Sequence, residues 1–498
     1  MARVAVIGAG VGGLAAAARL AAAGHNVNVF EQSQTYGGKA RSLSRDGFVF
    51  DTGPSLLTLP EVFEELFAET GSPLADHVEL QRLDPETTYH WPDGSQAALP
   101  GGGPGAVATL LGDTFGGSAA DDWRALMARA AEVWSLTRGP VLESPISGPS
   151  DLLKLVRNIH DVRTIDPLRT LRQVGNRTLA DPRLAMILDR YATYTGSDPR
   201  KAPAALVTVP YVEQQFGAWH VRGGIHRLAA ALFERCVHLG VAFTMGADVA
   251  SVSIEAGRAS GVELADGSRC ESDVVVSNAD ATHLYRDLVA PPAARSELRR
   301  LARATPSFSG FVIMLAVRGR TPRLTHHNLW FPRDYDQEFD DIFAGRPVAE
   351  PAIYACVPDD PMMRPDADHE SWFILVNAPR HGVVQDTTAN TFDWDSPGVA
   401  NRYADSIIDQ LAGRGMDVRP RILWREIITP ADLQRNTRSP GGSIYGTSSN
   451  GSRAAFLRPA NASRIPGLFL VGGSAHPGGG LPLVAISARI VADQIGPA

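Results

Sequence analysis

The residues whose chemistry is most legible lie in the first forty positions. Gly8, Gly10 and Gly13 form a G-x-G-x-x-G turn, and Glu31 follows at the distance at which such turns are paired with an acid. Gly8 permits the tight turn, Gly10 lets backbone approach a pyrophosphate, and Gly13 lets a helix pack closely on a strand. A helix starting there points free N–H groups and partial positive charge at phosphate. That attraction is worth about 0.3–1 kcal/mol per charge in exposed settings. Glu31 falls where a carboxylate accepts hydrogen bonds from an adenosine ribose and repels a 2′-phosphate. The chemistry is that of holding a dinucleotide.

The surrounding pattern supplies the elements that would position these groups. Residues 4–7 read as a buried strand, 14–23 as an Ala-rich helix and 27–30 as a second strand, which together make a complete βαβ unit. Gly37, Gly38, Lys39, Ala40 and Arg41 come next, and a GG-x-x-R element just after a ribose acid resembles FAD-binding flavoproteins rather than simple NAD dehydrogenases. Its glycines allow close backbone approach, and Arg41 offers a charged fork for the pyrophosphate. Residues 47–55 read as a strand entering the Gly53-Pro54 turn, backbone that in a flavin fold runs beside the isoalloxazine. Asp51 is read as a turn-capping carboxylate rather than a base.

Composition bounds the rest. A chain of 498 residues is too long for one ordinary core and predicts two or three subdomains. Its 47 basic and 54 acidic residues give a net charge of −7 with no dense basic run, so nucleic acid is not an expected partner. Cys236, Cys270 and Cys356 lie far apart without CxxC or zinc-type spacing, and are expected to be reduced thiols in a cytoplasmic protein. The first strand begins after three residues, which leaves no room for a signal peptide. The uncharged run 465–488 is interrupted by six glycines and three prolines, so it is not a spanning helix and any membrane contact is expected to be peripheral.

Further along, a glycine-rich stretch at 101–105 marks departure from the nucleotide domain, and 106–215 is helical by pattern. Within it, residues 151–177 interleave apolar positions with Lys154, Arg157 and further arginines. A basic amphipathic segment on an acidic protein fits either a membrane-surface contact or a solvated helix facing the core. Tyr191 and Tyr194 are read either as lining an apolar channel or as core residues. Three strands at 248–254, 259–264 and 269–277 return the chain to the nucleotide domain, and it leaves again over about 284–435. His326 and His327 are adjacent, but no carboxylate or third histidine has ligand spacing to them, so no metal is expected. The stretch 467–482 runs from a buried strand into a glycine-rich loop containing Gly473 and His476, ahead of a helix over 484–494. Its N-terminus would face the flavin ring and stabilise negative charge.

Together these segments resemble the carotenoid and phytoene desaturase family of FAD enzymes over essentially the whole chain. The motifs that carry the resemblance are FDTGPSLL (50–57), RYATYTG (190–196), residues 219–224, SNAD (277–280) and the end motif with His476-Pro477. His326-His327-Asn328, Ser443-Ile444-Tyr445-Gly446 and Ala455-Phe456-Leu457-Arg458-Pro459 look most like the branch that desaturates hydroxylated acyclic carotenoids at C3–C4. The chain departs from the family's HPGAG at Gly478-Gly479-Gly480.

The resemblance implies a glutathione-reductase-like, Rossmann-type α/β FAD-binding fold with an inserted mixed α+β substrate domain. The implied division is FAD-binding segments at 1–100, 216–285 and 440–498, a helical substrate and membrane-contact region at 101–215, and a substrate domain at 286–439. It implies FAD contacts from Gly8, Gly10, Gly13, Glu31, Gly38, Lys39, Ala40, Arg41, Gly53, Pro54, Val249, Gly473, Pro482, Leu483 and Val484. Lys154, Arg157, Tyr191 and Tyr194 are expected on the substrate and membrane side. The implied reaction removes two hydrogens from adjacent carbons of a polyene, with hydride passing to flavin, a proton leaving the neighbouring carbon, and oxygen or a quinone as final acceptor. His476 is the first candidate for a base. Alternatives on the same fold are a carotenoid isomerase using reduced FAD and an FAD amine oxidase. A non-enzyme of the prenyl-protein escort type would lack the FAD contacts present here.

Overall fold

A computed structural model describes residues 1–146, 159–382, 390–451 and 454–498. Its centre is a five-stranded parallel sheet ordered Leu468–Leu470, Val274–Ser277, Arg3–Ile7 (β1), Asn26–Glu31 (β2) and Ala242–Met245. Strands from distant parts of the chain therefore lie side by side, with Val4 opposite both Val27 and Val274. The run Val274–Ser277 is buried at every position, as suits a strand covered on both faces. One face carries the helix Val11–Ala22 (α1) with His226–His238 and Leu481–Ile495, closed by an apolar cluster that includes Leu14, Ala18, Leu228 and Ile486. A three-stranded antiparallel sheet, Val249–Glu255, Arg258–Leu264 and Arg269–Glu271, covers the other face.

The substrate sheet has seven strands, ordered Ile422–Ile428, Ser309–Arg318, His369–Ala378, Ile353–Cys356, His327–Trp330, Thr87–His90 and Gln96–Leu99. Here the structure departs from the division read in the sequence. The hairpin 87–99, assigned there to the nucleotide domain, completes the substrate sheet through parallel pairing of Tyr89 with Leu329. The reason is aromatic packing: Tyr89 and Trp91 lie 5.7 and 5.6 Å from the ring of Phe331.

Over this edge sit helices that include Pro104–Phe115, Ala119–Thr137, Leu171–Thr178, Pro182–Arg190 and Thr208–Phe216. Leu171–Thr178 begins with a capping box between Thr170 and Gln173. Pro182–Arg190 begins with Asp181 as N-cap followed by proline. Lys154 and Arg157 lie outside the described residues. Among the described residues no helix is long and apolar enough to cross a membrane.

Candidate functional site: a dinucleotide cradle at a glycine crossing

The glycine turn between β1 and α1 is packed as its spacing predicts. Gly8 has φ +93°, and a Cβ on Gly13 would lie 2.0 Å from the Gly8 carbonyl oxygen, so α1 sits closer to the strand than any side chain permits. Gly10 is bridged to Gly37, and a Cβ on Gly38 would come within 3.1 Å of the Gly10 Cα. The absence of side chains at these two positions is what lets the two backbones touch, the close approach a pyrophosphate turn requires. Glu31, 5% exposed, accepts hydrogen bonds from Ala9 N (2.7 Å) and Ser33 N (2.9 Å). Each carboxylate oxygen keeps a lone pair for a ribose hydroxyl. Arg41 stands 3.9 Å from Glu31, and its buried Nε has no partner among the described residues. A guanidinium with a free buried Nε, beside a glycine cradle and a ribose acid, is a donor set that fits FAD. Val249 lies at the rim of this region, two residues after Ala247, whose N–H bonds the Glu31 carbonyl at 2.8 Å.

A second helix start meets the first. Gly473 and the loop after it lead into Leu481–Ile495, with Pro482 in its first turn and Leu483 and Val484 following. Val484 packs against α1, since a Cβ on Gly12 would lie 2.9 Å from its Cγ1. Between the two starts sits Asn278, whose Oδ1 would be 2.5 Å from a Cβ on either Gly12 or Gly472. Asn278 was not singled out from sequence. Its signal is its place in SNAD, directly after a fully buried strand.

Two cations border the glycine loop. Lys39 donates from Nζ to the carbonyls of Ser443 (3.2 Å) and Ile444 (2.6 Å), and burial holds its pKa below the ordinary lysine value. Arg458 donates to the carbonyls of Tyr445 (3.1 Å), Thr447 (2.6 Å) and Gly473 (2.7 Å), and burial lowers it to about 10, leaving it charged at neutral pH. Neither has a carboxylate within ion-pairing distance among the described residues, so their positive charge is available to an anionic ligand. Arg458 was quoted from sequence only as part of a motif. Ala40 is buried, and its carbonyl accepts from His226 Nδ1 at 2.8 Å. A Cβ on Gly53 would lie 2.0 Å from the Lys39 carbonyl oxygen, so the Gly53-Pro54 turn lies directly on the Lys39 backbone. Asp51 accepts from Ile225 N (2.8 Å) and His226 N (3.0 Å), capping the helix that begins at His226.

His476 is 6% exposed, and its Nε2 is 3.0 Å from the Ser144 carbonyl, which fixes the proton on that nitrogen. Burial lowers its pKa to about 4, so the ring is neutral and only Nδ1 remains as a possible base. Tyr191 is fully buried, and with Tyr194 it donates to one carboxylate, Glu213, at 2.7 and 3.0 Å. The guanidinium of Arg190 stands 5.2 Å from the Tyr194 ring. These tyrosines anchor the helical region through a shared acid. His326 and His327, for which chain spacing offered no third donor, meet Cys356 through strand pairing.

The fold and the paired glycine starts define a flavoprotein oxidoreductase. Residues 11–371 match the flavin-containing amine oxidoreductase family. Similar curated proteins include 4,4′-diapolycopene oxygenase of a Methylomonas species, 34% identical over 99% of this chain and 98% of that protein. Hydroxyneurosporene desaturase of Rubrivivax gelatinosus is 32% identical over 99% and 93%. Similar solved structures include a putrescine oxidase (16% identical, TM-score 0.65, 99% of each chain). Another is an oxidoreductase from Methanosarcina mazei (17% identical, TM-score 0.61, 99% of this chain and 100% of that one). The chain belongs to the flavin-containing amine oxidoreductase family, in its carotenoid desaturase and oxygenase branch. Its cofactor is FAD.

Proposed function

We propose that this enzyme desaturates an acyclic carotenoid, acting late in the pathway on a hydroxylated substrate at C3–C4 or, failing that, on phytoene. The observation that carries the reading is identity over nearly the full length to carotenoid-converting enzymes, one of them a hydroxyneurosporene desaturase. When bound, FAD supplies the hydride acceptor. The chain's own part is to orient the cofactor through Gly10, Gly38, Glu31 and Arg41, and to hold fixed positive charge at Lys39 and Arg458. Excluding water from the reacting carbons is the remaining task of the fold. Nδ1 of His476 is the first candidate to take the substrate proton.

Oxygen or a quinone would be the terminal acceptor. A lipophilic substrate calls for peripheral docking on a membrane, with the basic segment containing Lys154 and Arg157 as the contact. A second reading is oxidation of a carotenoid chain end, favoured by the name of the 34% identical relative.

The test is anaerobic incubation of FAD-loaded protein in liposomes with a panel of acyclic carotenoids, followed by flavin absorbance and product chromatography. Bleaching with a hydroxylated neurosporene-type substrate and a red-shifted product is the expected result. Bleaching with phytoene alone moves the enzyme to an early step. An isomerised product without bleaching rejects desaturation, and an oxygen-bearing product formed only in air selects chain-end oxidation.

A further inference from the structure

Outside the nucleotide cradle, three metal-type donors converge at one buried point. His327 and Cys356 are directly opposite each other in the antiparallel pairing of His327–Trp330 with Ile353–Cys356, and His326 precedes them. One donor atom from each of His326, His327 and Cys356 lies within 4.8 Å of the other two. His327 is 1% and Cys356 3% exposed. The Nε2 atoms of both histidines are buried without a hydrogen-bond partner among the described residues. Leaving a buried polar atom unpaired costs about 1–3 kcal/mol, so two such atoms side by side, next to a thiol, point to a shared ligand.

The outer contacts are those a ligand set needs. His327 Nδ1 lies 2.7 Å from Tyr354 Oη, and that hydroxyl lies 2.7 Å from Ser55 Oγ, which leaves Nε2 as the free nitrogen and fixes the ring. Behind His326 stands His220, ring centres 4.6 Å apart, with Nε2 held 2.9 Å from the Asp360 carboxylate. His326, Cys356, Asp51 and Ser55 line one small cavity.

We propose that His326, His327 and Cys356 form a binding site for a zinc-type divalent cation, with a fourth position open to that cavity. Two imidazoles and a thiolate are the donors such an ion selects. Donors placed tetrahedrally about 2.0–2.3 Å from an ion are about 3.3–3.8 Å apart, so the triad closes by about 1 Å on binding, within reach of side-chain rotation. Binding displaces the Cys356 thiol proton to solvent and leaves one net positive charge, which the Asp51 carboxylate faces. Zinc is redox-inert, so electrons of the main reaction are not involved. The ion would tie the substrate sheet, through Tyr354 and Ser55, to the turn beside the Gly53-Pro54 backbone.

The test uses tag-free holoprotein passed over chelating resin, then titrated with Zn²⁺ and Co²⁺. About one equivalent bound per chain, a thiolate-to-cobalt charge-transfer band in the difference spectrum against the flavin, and a melting temperature raised by Zn²⁺ are expected. Cys356→Ser should remove the charge-transfer band and weaken uptake about tenfold or more while flavin content stays unchanged. Wild-type protein that takes up less than about a tenth of an equivalent at excess cobalt overturns the proposal, as does a charge-transfer band that survives in Cys356→Ser. If the variant loses its flavin, the wild-type cobalt spectrum decides alone, because without a thiolate band the site as described does not exist.

Discussion

Single side chains set both cofactor affinity and part of the pH response. Glu31 already satisfies the N–H groups of Ala9 and Ser33, so Glu31→Ala removes a ribose acceptor and strands two backbone donors. At about 1–3 kcal/mol for such a loss, FAD affinity should fall about tenfold to a hundredfold, read by flavin retained on gel filtration and by fluorescence titration. Undiminished retention would remove Glu31 from the site. Glu86 is a different case, 1% exposed, with no cation paired to it among the described residues and the Ala218 backbone beside its carboxyl group. Burial, with Glu213 nearby, pushes it from its ordinary 4.5 up to about 8. Because the folded value is the higher one, the stabilising contribution is fully present below about pH 4.5 and is lost as pH rises through about 8. The melting temperature of the wild type should therefore fall relative to Glu86→Gln between pH 5 and pH 9, by an amount equivalent to a few kcal/mol. Parallel curves for the two proteins would show that Glu86 does not titrate there.

At the scale of elements, α1 is pressed on its strand by Gly13. Gly13→Ala places a methyl group 2.0 Å from the Gly8 carbonyl oxygen, a backbone atom that cannot swing away. Displacing the helix should cost about 1–3 kcal/mol and abolish flavin binding, measured by flavin stoichiometry alongside thermal denaturation. The control is Gly105→Ala in the Pro104–Phe115 helix, where a Cβ meets nothing within 4 Å and stability should hold or rise by about 0.4–1 kcal/mol. A Gly13→Ala protein with full flavin would mean the turn tolerates a wider helix. The unit β1–α1–β2 was legible in the sequence because the features that define it are local, from the unbroken apolar run of the first strand to the small residues of the turn. The hairpin 87–99 was placed within the nucleotide-binding segment 1–100 because its partner, His327–Trp330, lies more than two hundred residues away and carries no mark of that pairing. The meeting of His327 with Cys356 escaped for the same reason: ligand spacing along a chain says nothing about register across a sheet. Asn278 carried a signal only as part of the SNAD motif, since by type an asparagine after a strand ordinarily reads as a turn former.

For the molecule as a whole, the seven-stranded sheet and the five-stranded nucleotide sheet are hydrogen-bonded independently, and the glycine cradle belongs to the latter. The membrane reading belongs to this scale. The protein carries a net charge of −7, so attachment to an anionic surface depends on locally clustered lysine and arginine. Reversing charge with Lys154→Glu and Arg157→Glu should weaken sedimentation with anionic vesicles several-fold and leave flavin content unchanged. Equal sedimentation would take that segment out of the docking surface. The sheet order has a consequence for how the protein is made. Arg3–Ile7 and Asn26–Glu31 emerge early from a ribosome, but their sheet also needs Leu468–Leu470, and the second helix start needs Leu481–Ile495. A nascent chain lacking residues 468–495 holds the ribose acid and the first glycine turn with nothing to close over the flavin. It also bares the apolar edge of Val274–Ser277, the kind of unpaired strand that aggregates. Flavin capture thus depends on residues 468–495, and a chain cut ahead of Leu468 is expected to stay colourless and to be cleaved more readily by protease than the intact one.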